Sequence, residues 1–242
     1  MKITQRFVIG FLLASVGLLV GAAGLAAQEE QADWSHQVKL PGGEQAVELF
    51  NGKDLAGWSG IEKYWSVVDG QIRTANEEPV IVGTYLFTDQ QYRDFRLLLE
   101  VKQTMGEKYS TMHSAVAALG ERVSNQGGDF GFKGPLLMFC HDWGIWGADG
   151  RGRVYPPGRT GPMNDVPWEK DGDWNQIEIL VIGDRIRMVA NGELVIDYTE
   201  EAGRLKKGSI ALQLHNNPEP QEFHFRGLVL VENPTDQLLT QE

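Results

Sequence analysis

The stretch "NQIEILVIGDRIRMVANGELVIDY", residues 175–198, reads as three strands and two turns. Gly183-Asp184 and Asn191-Gly192 interrupt runs of apolar and alternating residues. The second pair suits a two-residue type I′ loop, which needs positive φ at both central positions. The stretch predicts an antiparallel meander. Outward from it the chain keeps the same texture. "AVELF" (46–50), "YWSVVDGQIRTA" (64–75), "VIVGTYLF" (80–87), "FRLLLEVKQT" (95–104), "TMHSAVAAL" (111–119) and "PLLMFCH" (135–141) precede it, and "GSIALQLH" (208–215) and "EFHFRGLVLVE" (222–232) follow. Each run is bounded by Gly, Asn, Asp or Pro, and none sustains a 3.6-residue period over helical length. Wholly apolar runs mixed with alternating ones suit strands packed between two sheets. The expected fold is all-β: one antiparallel two-sheet jelly-roll sandwich over residues 46–232. Residues 143–174 are expected to form a long loop, beyond the 12 to 15 residues usual for inert connections.

The N-terminus carries Lys2 and Arg6, then "FVIGFLLASVGLLVGAAGLAA" and small residues at Gly24, Ala26 and Ala27. This pattern predicts a signal peptide over residues 1–27, and hence a periplasmic or secreted protein. Residues 28–45 then read as a polar leader and 233–242 as a C-terminal tail. No second apolar run reaches the length of a membrane span. Cys140 is the single cysteine, so no internal disulfide can form. The 33 acidic residues outnumber the 22 basic ones, giving a net charge of −11. Such a surface repels phosphate backbones, which argues against a nucleic-acid partner.

Five segments in order, "ELFNGKDLAGW" (48–58), "YWSVVDGQIRT" (64–74), "YRDFRLLLEVK" (92–102), "DWNQIEILVIGDRIRMVANGELVIDY" (173–198) and "GSIALQLHNNPEPQEFHFRGLVLVE" (208–232), resemble the 3-keto-disaccharide hydrolase family. The resemblance implies a concanavalin A-like lectin/glucanase fold, a carbohydrate substrate, and cleavage of glycosides oxidised to a ketone at C3. A C3 carbonyl acidifies the C2 hydrogen, so a base can remove it and the C1 oxygen can leave by β-elimination, followed by hydration. That chemistry needs a base and a group that stabilises the enediolate oxygen, rather than the spaced carboxylate pair of ordinary glycosidases. The chain departs from the family pattern at His113-Ser114-Ala115-Val116 and at "LLMFCHD". A non-catalytic carbohydrate-binding module is the rival reading.

Strand alternation places Arg96, Leu98, Glu100 and Lys102 on one face, with Glu100 a candidate base. His141 and Asp142 end an apolar strand where it enters the long loop, and His is the side chain best suited to proton transfer near neutral pH. Gln213 and His215 share one face of their strand, and His113 shares one with Ala115 and Ala117. Glu100, His141, Asp142 and His215 are therefore the expected catalytic residues. His113, Trp143, Arg151, Arg153, Tyr155 and Gln213 are the expected sugar-binding ones, by stacking and hydroxyl contacts. His113, His141 and His215 are candidate ligands for a divalent metal, although no close-spaced metal motif is present.

Overall fold

The computed structural model describes residues 33–126, 128–147, 149–150, 152–161 and 166–242. The expected signal peptide, the start of the expected leader and Arg151 lie outside them. The described residues fall within one compact unit. A four-residue helix, α1 (Trp34–Gln37), precedes β1 (Ala46–Glu48), β2 (Trp58–Ser59), β3 (Trp65–Val68), β4 (Gln71–Asn76), β5 (Thr84–Tyr92) and β6 (Phe95–Gln103). Then come β7 (Ser114–Ala117), β8 (Glu121–Asn125), β9 (Gly128–Lys133), β10 (Pro135–Phe139), β11 (Gly144–Gly147) and β12 (Gly152–Val154). The chain closes with β13 (Asn175–Ile182), β14 (Arg185–Ala190), β15 (Glu193–Thr199), β16 (Gly208–Leu214) and β17 (Gln221–Glu232).

Two antiparallel sheets result. The first runs β15-β14-β13-β6-β17-β4-β3, with β1 also paired to β17, and the second runs β12-β11-β10-β7-β16-β5-β2. The meander forms as expected, with positive φ at Gly183, Asn191 and Gly192. The segment expected as one long loop differs: it contributes β11 and β12, which extend the second sheet beyond β10. Its Gly144-Ile145-Trp146-Gly147 run is too short and too glycine-rich to announce a strand, and pairing with β10 decides it.

The inner faces meet in one core. Phe95, Leu97, Leu99 and Val101 of β6 pack with Ile177, Ile179, Phe223 and Phe225, against Leu86, Val116, Leu137 and Leu212 of the second sheet. The alternate residues of β6 point the other way, and the ends of the chain cover them. Arg96, fully buried, pairs with Glu178 and donates to the carbonyl oxygens of Thr235 and Gln237. Glu178 also accepts from the backbone N–H of Leu239 and Thr240. The outer face of the second sheet is partly roofed by the β8–β9 hairpin. Phe132 of that hairpin packs on Tyr85 and Phe87, above Ala115, Ala117 and Met138.

Candidate functional site

At the open end of this outer face, beyond the hairpin's cluster, a cavity of about 420 Å³ is lined by Ser110, Met112, His113, His141, Asp142 and Arg153. Amides reaching across from the first sheet hold its walls. Gln103, at the end of β6, donates to the carbonyl oxygens of Ser110 and Met112, both at 3.1 Å, and so fixes the approach to His113. Gln221 donates to the His215 carbonyl at 2.8 Å. Because β7 and β16 are antiparallel neighbours, the residues at their ends meet. The His113 and His215 rings lie edge to face, 4.8 Å between centroids.

The opposite wall comes from a turn that strand alternation does not anticipate. After Phe139, Cys140 and His141 both adopt φ of 61°, two successive non-glycine residues in the left-handed region. Such a conformation costs on the order of 1–3 kcal/mol per residue and persists only where the surroundings impose it. Here Glu169 imposes it. One carboxylate oxygen accepts the His141 N–H at 2.9 Å and the other accepts Trp143 Nε1–H at 2.8 Å. Trp143 is fully buried and meets Trp168 edge to face. The turn brings Asp142 to the pocket, where it pairs with Arg153 and stands 3.3 Å from His113 Nδ1.

Charge and burial set the protonation states. The His113 pKa is pushed down to about 3, first by burial and then by His215 and Arg153. Burial also lowers that of His215, against the opposing hydrogen bond from its Nδ1 to the Asn216 carbonyl. Both imidazoles are neutral at pH 7. With Nδ1–H facing Asp142 in His113 and Asn216 O in His215, each presents an Nε2 lone pair. Among the described residues, the buried Arg153 Nε–H has no hydrogen-bond partner. Trp146, directly across β11–β12 from Arg153, is 45% exposed.

The expected residues thus divide. His113, His141, Asp142, Arg153 and His215 come together. Tyr155 lies beside them, with the Arg153 guanidinium 5.2 Å over its ring. Glu100 does not join them: it is 2% exposed on the outer face of the other sheet, accepting from the Trp34 N–H and from Arg226. Trp143 cannot stack on a sugar because none of its surface is exposed; the solvent-facing ring of this segment is Trp146. Gln213 is buried beneath the hairpin, donating to Tyr85 Oη at 3.0 Å, and among the described residues its Oε1 has no partner. The three histidines do not form one metal-binding group. His113 pairs with His215, whereas donor atoms of His141, Glu169 and Asp171 lie within 4.8 Å of one another and could hold a cation. Glu169 and Asp171 have a sequence signal in the acidic run "EKDGD" beside Trp168. A larger cleft of about 900 Å³, between the leader and the C-terminal tail, contains no histidine.

Among solved structures, a Parabacteroides distasonis protein assigned as a glycosyl hydrolase is similar at a TM-score of 0.54 and 19% identity, covering 77% of this chain and 93% of that one. A Bacillus licheniformis β-glucanase gives 0.52 at 13% identity, covering 79% and 99%. The carbohydrate-binding module CBM66 of Bacillus subtilis gives 0.51 at 13%, covering 73% and 96%. At these identities the likeness concerns the fold, the concanavalin-like jelly roll. No curated protein matches the chain. The family of 3-keto-alpha-glucoside-1,2-lyase-like domains matches residues 45–230, and the chain belongs to that family.

Proposed function

We propose that this chain is an exported enzyme that cleaves 3-keto-glycosides by C2 deprotonation and β-elimination, with His113 as the base. The observation that carries the reading is Asp142, shared between His113 Nδ1 and Arg153 at the wall of a sugar-sized pocket. Asp142 holds the Nδ1–H tautomer, so the His113 Nε2 lone pair is available to take the C2 proton. Arg153, whose side chain lines the pocket beside Asp142, stabilises the charge that develops on the C3 oxygen. As the C3 carbonyl reforms, the C1–C2 double bond forms and the C1–O bond breaks. The proton held by His113 passes to the departing oxygen. An imidazolium with a pKa near 3 is a strong acid toward an alkoxide, while Arg153 offsets the weakness of so poor a base in the first step. Trp146 supplies an apolar plane for a pyranose ring. Water then adds at C1 of the unsaturated sugar.

Purified protein incubated with 3-keto-disaccharides and with their unoxidised parents tests this. Free sugar is expected from the oxidised substrates alone, with His113→Ala and Arg153→Ala each lowering turnover on the order of a hundredfold or more. Equal release from the parent disaccharides would defeat the elimination route. The similarity to a carbohydrate-binding module keeps one other outcome in view: saturable sugar binding without turnover would make this a binding domain.

A further inference from the structure

We propose that His141, Glu169 and Asp171 form a divalent-cation site at the rim of this pocket, suited to an ion that accepts mixed nitrogen and oxygen donors, such as Mn²⁺ or Zn²⁺. The donors already converge. His141 Nε2 lies 4.0 Å from Asp171 Oδ1, too far for a direct hydrogen bond. Two donors at about 2.0–2.2 Å from a shared ion can span that gap. The Asp171 side chain is 62% exposed, so it can swing to shorten the distance without disturbing the core.

Charge points the same way. Among the described residues, neither Glu169 nor Asp171 pairs with a lysine or arginine, although one carboxylate oxygen of each lies within 4.8 Å of the other and of a His141 ring nitrogen. A cation relieves this concentration of negative charge. Cys140 itself is not a ligand, being buried as a neutral thiol.

Glu169 is oriented as a ligating carboxylate needs to be. Each oxygen accepts one hydrogen bond, from the His141 amide or from Trp143 Nε1, and each keeps a further lone pair. These contacts are the outer-shell support that fixes a metal ligand's direction. His141 also lines the pocket, so the open positions of the ion would face the space occupied by the sugar. There they can chelate adjacent oxygens of the substrate, a role that rests on the keto-glycoside reading; the cation site does not.

The test is metal binding rather than turnover. Mature protein stripped with a chelator is titrated calorimetrically with MnCl₂, ZnCl₂ and CaCl₂, and its thermal unfolding is followed with each salt. One Mn²⁺ or Zn²⁺ per chain is expected, with an unfolding temperature that rises with metal concentration. Asp171→Asn, at an exposed position, and Glu169→Gln should each weaken binding at least tenfold, whereas His113→Ala should leave it within about twofold. Absence of saturable one-to-one binding, or unchanged affinity in Asp171→Asn, overturns the site. Binding of Ca²⁺ alone overturns the mixed-donor assignment. Stoichiometric binding without release of sugar from keto-disaccharides would leave the cation site standing and remove the enzymatic reading, and the reverse pattern would do the opposite.

Discussion

His113 is neutral because burial makes its charged form costly, and that has a thermodynamic signature. Its folded pKa of about 3 lies below the ordinary value of 6.5, so between those pH values the unfolded chain binds a proton that the folded chain refuses. Stability therefore rises with pH through this window and is lost as pH falls through it. His113→Ala should flatten the dependence: urea unfolding at pH 7 and pH 4 should show a smaller acid loss than in the parent. His215, also lowered by burial, remains in the variant and keeps part of the slope, so the difference between the two proteins is the quantity to read. An equal slope in both would mean that His113 is not held neutral. His141 and Asp142 were legible as candidates because an apolar strand ends in them. Their placement was not, since a strand that continued would send them to opposite faces, and two consecutive left-handed residues leave no mark in composition.

At the scale of elements, the strands whose alternation is strong were readable and those made by pairing were not. β6, β13, β14, β16 and β17 follow their apolar pattern, and so does the face assigned to Glu100. What β6 alone cannot reveal is which face is covered, and by what. The β8–β9 hairpin was missed, although Phe130 and Phe132 alternate beside a glycine-rich turn, and it decides that Gln213 lies beneath a roof. The two ends of the chain were read as a polar leader and a C-terminal tail, yet they seal the outer face of the first sheet around Arg96 and Glu178. That pair is fully buried, so removing one partner strands the other charge. Arg96→Met should cost about 3–5 kcal/mol, while Arg96→Met with Glu178→Leu should recover only the part due to the stranded charge, because the Thr235 and Gln237 carbonyls and the Leu239 and Thr240 amides still lose their partners. Denaturant melts of both variants provide the comparison. A double variant no more stable than the single one would show that the terminal segments depend on the ion pair itself.

Across the whole molecule, the last two strands occupy the middle. β16 lies between β7 and β5 in the second sheet, and β17 between β6 and β4 in the first, also receiving β1. Without them each sheet falls into halves separated by an unfilled slot. A chain ending at residue 207 should therefore lack any cooperative unfolding transition. A sharp calorimetric transition in that truncation would contradict the central role of β16 and β17. The same layout has a consequence for how the protein comes into being. A ribosome delivers the chain from its N-terminus, so each strand that will flank a slot emerges with one edge paired and the other left open. Closure waits on contacts of long sequence separation, which are the slow ones to form. The nascent polypeptide consequently stays open until β16 and β17 arrive, with unpaired strand edges exposed in the meantime.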